Sequence, residues 1–172
     1  MHEMNRSALL VLHSYNGYAN GLVLKTALAL DEEAFTGQSS PSHGSVQHLL
    51  MHMLTVEASF LAKCKGEAPQ GRVFEAEEMT LAEIADSFAG VADARAAYLE
   101  TVSEDELAEI IPIQIGSKPL RLARWQLLAQ SLLSSAHHRG ELSIVMTALG
   151  TPLPTLDPIL QFVRESGQEW PF

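Results

Sequence analysis

Four segments of the chain repeat apolar residues at helical spacing for long enough to bury a whole face each, and this limits the fold more than any other feature. In residues 5–30 the stripe is Leu9, Leu12, Tyr15, Ala19, Val23 and Leu30. In residues 45–65 it is Val46, Leu49, Leu50, Met53, Phe60 and Leu61, with Gly66 as a stop signal. A third helix begins at Thr80, whose pairing with Glu83 three residues on is a capping box, and runs to about 101. The fourth spans 124–149 and ends at Gly150, with Pro152 and Pro154 beyond it. Four helices with one apolar face each bury those faces best against one another, so the pattern predicts an all-α four-helix bundle.

The connections read differently. "TGQSSPSHGS" (36–45) is dense in turn residues and reads as a loop, and 66–79 is a polar connection. "SEDE" (103–106) repeats the capping-box signature and predicts one short helical turn. Ile111, Ile113 and Ile115 alternate before a Gly-Ser-Lys-Pro punctuation, so 110–122 reads as a small hairpin or extended crossover. A short amphipathic piece, 156–165, leads into the tail. With 172 residues and no internal repeat, residues 1–172 are read as a single domain.

Composition narrows the function. A net charge of −10, with eleven scattered Lys and Arg, leaves no basic patch for phosphates and argues against a nucleic-acid partner. No stretch reaches the roughly 18 apolar residues of a membrane span. Cys64 is the only cysteine, which excludes an internal disulfide and fits a reducing compartment. The N-terminus lacks a signal-peptide pattern, so a cytoplasmic location is the expectation. Lys63 and Lys65 flank Cys64, which reads as a partly exposed thiol with a slightly lowered pKa.

Polar residues intrude on the apolar faces at a few places. In "SSAHHRGEL" (134–142), adjacent histidines point about 100° apart; His138 falls on the stripe of Leu127, Leu142, Val145 and Leu149, and His137 falls outside it. Ser131, Ser134 and Ser135 share the inward arc, so this face turns polar in mid-helix and calls for polar partners elsewhere. Glu57 supplies one, near the middle of the second helix's stripe, and His52 lies at that stripe's rim. His48 and His52 form an i,i+4 pair able to chelate one ion, although their shared face is not the inward one. On the first helix Asn16 intrudes on the core face beside Tyr15; a buried Asn also serves to fix helix register. Ser134 and His138 are spaced as a nucleophile–base pair, but no third residue completes a triad. Glu57, His52 and His138 together suggest a shared polar pocket.

The stretches "SYNGYANGLVLKTALALDEEAF", "GSVQHLLMHMLTVEASFL", "AHHRGELSIVMTALG" and "LPTLDPILQFVRE" resemble, in order, the signature stretches of the DinB/YfiT-like (DNA-damage-inducible) superfamily. The resemblance implies an up-down-down-up four-helix bundle, usually a homodimer, with a divalent metal (Zn or Ni) held by three histidines at one end. It assigns His52 and His138 as metal ligands, with His48 as a further candidate and Tyr15, Asn16, Glu57 and Ser134 around the pocket. Ser134 stands where the family places its third histidine, and Gln130 stands where the closest branch often carries another. Serine is a poor substitute for imidazole, so the site is expected to be weak or vacant. Two functions follow from the resemblance. One is a metal-dependent transferase joining a low-molecular-weight thiol to an electrophile, or a hydrolase using water in the thiol's place. The other is a non-catalytic stress-response or ligand-binding bundle whose metal site has decayed.

Overall fold

The computed structural model describes residues 4–68 and 79–169. Helix α1 covers Arg6–Ala27, α2 Glu32–Thr36, α3 Val46–Lys65, α4 Leu81–Thr101 and α5 Glu104–Ala108. Strands β1 (Ile110–Ile115) and β2 (Lys118–Ala123) follow, then α6 (Arg124–Ala148) and α7 (Pro158–Glu165). Most of the 66–79 connection lies outside the described residues.

Local chemistry sets these boundaries. Asn5 caps α1, and Ser45 caps α3 by accepting from the His48 backbone N–H. Gly66, at φ 72°, closes α3 in a left-handed conformation that a side chain would resist. Thr80 with Glu83 and Ser103 with Glu106 form the two expected capping boxes. The first helix stops three residues short of the expected end. Asp31 captures the Ala34 backbone N–H at 2.8 Å and nucleates α2, a helix absent from the periodicity reading. Residues 110–123 form the anticipated hairpin, Ile110 pairing with Ala123 and Ile115 with Lys118 around Gly116 at φ 58°.

The long helices form a closed ring in which α1 and α3 each pack against α4 and α6. Hydrogen bonds fix their directions. Ser135 reaches Glu57 and Arg124 reaches the Cys64 carbonyl, so α3 and α6 run antiparallel. Gln47 bonds the Met79 carbonyl and Tyr98 the Cys64 carbonyl, so α3 and α4 run parallel. Arg6 reaches the Glu100 carbonyl while Val23 clusters with Ile84 and Phe88, which makes α1 and α4 antiparallel. Leu9 packs with Leu127, and Asn16 and Asn20 meet Arg139, so α1 and α6 are parallel. The topology is up-down-down-up.

The core is split along the bundle axis. One apolar cluster joins Val23, Leu50, Met53, Ile84 and Met146; the other joins Leu9, Leu99, Leu127 and the hairpin residues Ile111 and Ile113. Between them lies a layer of buried polar side chains from α1, α3, α4 and α6, among them Asn16, Glu57, Arg95 and Ser135. Cys64 departs from its expected exposure. It is 2% exposed within the second cluster, and burial drives its thiol up to about 12 despite the nearby Arg124 and Lys63 charges. It is therefore a protonated packing residue. Among the described residues no helix is long and apolar enough to cross a membrane.

Candidate metal site

Two separate polar assemblies occupy the bundle. The first is the middle layer. Glu57 is 2% exposed, and its carboxylate accepts from Asn16 Nδ2 and Asn20 Nδ2 (2.8 Å each), Ser135 Oγ (2.6 Å) and Arg95 Nη1 (2.5 Å). Three of these donors converge on Oε1, and Arg95 alone reaches Oε2. Burial alone would raise the Glu57 pKa, but the Arg95 charge and the hydrogen bonds from Ser135, Arg95 and Asn16 outweigh it and hold the acid ionised. Arg139 extends the layer by donating to Asn16 Oδ1 at 2.6 Å and Asn20 Oδ1 at 2.7 Å.

The second assembly is a histidine corner where α3, α6 and the loop before α3 meet. The loop is closed by backbone hydrogen bonds from Ser39 N to Gly44 O (2.7 Å) and from Gly44 N to Ser40 O (3.0 Å), with Gly44 at φ 83°. That turn projects His43 onto the helices. The His43 ring lies 4.0 Å from His52, centroid to centroid, and 5.2 Å from His138; His52 and His138 are 4.9 Å apart.

Glu141, one turn after His138, faces the same loop. Its carboxylate accepts from Ser40 Oγ (2.6 Å), Ser42 Oγ (2.6 Å) and the Ser42 backbone N–H (3.2 Å). Burial pushes this acid up, but the Ser40 and Ser42 hydrogen bonds overcome that and leave it at about 2. Ser42 Oγ also lies 2.6 Å from His43 Nδ1. A hydroxyl has one proton, so with that proton on Glu141 it accepts from His43 Nδ1–H, which leaves Nε2 with a free lone pair.

His138 is 8% exposed, and its Nδ1 is buried without a hydrogen bond; the closest acid oxygen, Glu141 Oε2, is 3.7 Å away. Burial, then the neighbouring His43 and His137, lower its pKa and keep the ring neutral, the form a metal requires. Ligand atoms of His43, His138 and Glu141 all lie within 4.8 Å of one another. Two imidazoles, that of His138 held neutral, and an ionised carboxylate form a donor set that could hold a metal ion, and the orphaned Nδ1 of His138 fits that use.

The structure brings His52 and His138 together and adds His43 and Glu141, which periodicity did not single out. Helical spacing could have pointed to Glu141, three residues past His138. His43 sits in a loop, where no periodicity operates. The remaining candidates lie elsewhere. His48 is exposed on α3 and outside the cluster, because Ser45 caps the helix with its inward stripe already set by Val46, Leu49 and Leu50. Glu57 and Asn16 belong to the middle layer and bond no histidine, their polar atoms being drawn to Arg95 and Arg139. Tyr15 is buried against Arg139 and donates its hydroxyl to the Leu156 carbonyl, tying the tail to α1. Ser134 is half-buried, and it is its neighbour Ser135 that reaches Glu57.

Comparison with known proteins agrees with this architecture. The sequence model of the DinB family matches residues 4–168. The crystal structure of a DinB-like protein, YjoA, from Bacillus subtilis superposes with a TM-score of 0.61 at 18% identity, covering 85% of this chain and 96% of that one. At that identity the likeness is one of fold. No curated protein matches the chain.

Proposed function

The chain belongs to the DinB family, and on that premise we propose that it is a metal-dependent transferase which joins a low-molecular-weight thiol to an electrophile. The observation that carries this reading is the convergence of His43, His138 and Glu141, with the His138 Nδ1 buried and unpartnered. These three residues would hold a divalent ion, Zn or Ni as the family resemblance implies. When bound, such an ion lowers the pKa of a thiol so that the thiolate is present at neutral pH.

The chain's own groups prepare the site. Ser40 and Ser42 fix the Glu141 carboxylate and keep it ionised, and Ser42 selects the His43 tautomer. His52 packs its ring against His43 and His138 and limits their rotation. In the transfer, the sulfur–carbon bond would form as the electrophile's leaving group departs with its electron pair, the thiol proton going to solvent. Exposed Leu133 and Ile144 on α6 support a homodimer as part of the same proposal.

One observation favours a second reading, a non-catalytic stress-response or ligand-binding bundle with a weak or lost metal site. Ser134 stands where a third imidazole would complete the set. Equilibrium dialysis against Zn or Ni, followed by elemental analysis, separates the two. The transferase reading expects one ion per chain, lost in His138→Ala and in His43→Ala, with thiol consumption in the presence of a chromogenic electrophile falling in parallel. Protein that binds no ion at micromolar metal, or turnover indifferent to His138→Ala, would sink it.

A further inference from the structure

A cavity of about 540 Å³ lies at one end of the bundle, among the end of α1, helix α2 and the first residues of α3 and α4. Small-molecule sites run from roughly 300 to 1,000 Å³, so this one has room for a ligand. Its wall is mainly apolar, with Leu30, Phe35, Met79 and Leu81 on it. Leu28, at the end of α1, stands at the same wall and is 73% exposed, so the apolar surface continues outward to the mouth.

The polar groups of this wall share one character. Gln47, only 7% exposed, donates Nε2 to the Met79 carbonyl at 2.8 Å, which orients the amide and leaves Oε1 to accept from elsewhere. That oxygen is not one of the bundle's sealed, unbonded atoms, so the cavity reaches it. Thr36 gives its hydroxyl proton to the Glu32 carbonyl at 2.8 Å, and Thr80 gives its own to Glu83 Oε2 at 2.7 Å. Asp31 uses Oδ1 to accept from the Ala34 backbone N–H, and the exposed Glu32 follows it at the wall. Among the described residues no lysine, arginine or histidine lines the cavity. Its side chains therefore offer acceptors and two acidic groups, with their hydroxyl protons already engaged.

We propose that this cavity binds a small hydrophobic primary amine, whose apolar body lies against Leu30, Phe35 and Met79 and whose ammonium meets this acceptor-rich, acidic wall. An ammonium carries three donors and no acceptor, the complement of these side chains. A carboxylate or phosphate would instead face Asp31 and Glu32 with no side-chain cation to neutralise it. The net charge of −10 adds a field that draws cations to the surface. None of the wall residues belongs to the set of His43, His138 and Glu141, so the site stands independently of any metal.

The test is a titration of the full chain with phenethylamine in the presence of a chelator, read by calorimetry and thermal unfolding at constant ionic strength. The amine is protonated at neutral pH, as a lysine is. One saturable site and a rise in Tm are expected. Hydrocinnamate, the matching anion, should give neither, and phenethyl alcohol should bind at least tenfold more weakly. Leu28→Arg sets a cation at the exposed mouth and should abolish amine binding while leaving the ligand-free Tm in place. Asp31→Asn combined with Glu32→Gln keeps the α2 cap, because asparagine caps as aspartate does, and should weaken the amine at least tenfold without changing phenethyl alcohol. His138→Ala should bind the amine as the parent does. An amine effect no greater than that of ammonium chloride, one matched by hydrocinnamate, one retained in Leu28→Arg or in the Asp31/Glu32 variant, or one lost in His138→Ala would overturn the proposal.

Discussion

The middle layer and the histidine corner are both polar intrusions into one helical bundle, yet they differ in how far their bonding is completed. Around Glu57 four donors from α1, α4 and α6 engage the carboxylate, three on Oε1 and Arg95 on Oε2. At the corner, His138 Nδ1 is left without a hydrogen bond and the Glu141 carboxylate is turned toward it by two serines. A carboxylate engaged by donors from three helices holds those helices in register; ligand atoms gathered at a corner with one left unbonded are available for binding. The difference teaches that a buried carboxylate in mid-stripe can be engaged wholly in joining helices.

The largest effect should come from breaking the Glu57 side. Arg95→Ala would leave the Glu57 carboxylate buried without its cation, a loss of about 3–5 kcal/mol, read as a fall in the urea midpoint. His138→Ala should change stability far less while abolishing metal binding. Equal destabilisation by the two variants would erase the contrast.

Acid should act on the same layer. Burial, then the Arg95 charge, lowers the His13 pKa to about 3, with Glu57 opposing. The unfolded chain therefore takes up a proton near pH 6.5 that the folded chain refuses, so stability falls as pH drops from 6.5 toward 3, by about 1.4 kcal/mol per pH unit. Glu57, whose pKa is lowered by folding, adds a loss in the same direction below its unfolded value of 4.5. Denaturant midpoints measured across this range should slope downward with acid, and His13→Leu should flatten the part between 6.5 and 4.5. A profile flat in the parent protein would contradict the buried neutral imidazole.

Sharpening the corner is the smaller change. Ser134→His would place an imidazole one turn before His138 and should raise Zn or Ni affinity at least tenfold, about 1.4 kcal/mol. Unchanged affinity would mean that position 134 does not face the ion. Smallest of all, His48→Ala should leave metal binding intact and stability within about 0.5 kcal/mol, since His48 is exposed outside both assemblies.

Much of this architecture is legible in the chain. The capping boxes at Thr80 and Ser103, the Gly66 stop and the isoleucine alternation act within a few residues, and each produces the element expected of it. Periodicity also separates His138 from His137, which is exposed. The site was less legible. His43 owes its position to a turn closed by Gly44, and Glu141 owes its orientation to serines about a hundred residues away in sequence. Spacing along one helix carries no information about such partners.

The sequence by itself determined the four long helices, their inward faces, the hairpin and the presence of polar groups at the bundle's centre, because helical period and capping are local properties of the chain. Tertiary structure alone decided which polar groups joined which. It gave Glu57 to Arg95 and the amides, joined His43 and Glu141 to His138, and left Arg139 with a spare donor. Those pairings depend on distances between separate helices, which fold-wide packing sets and no single segment encodes.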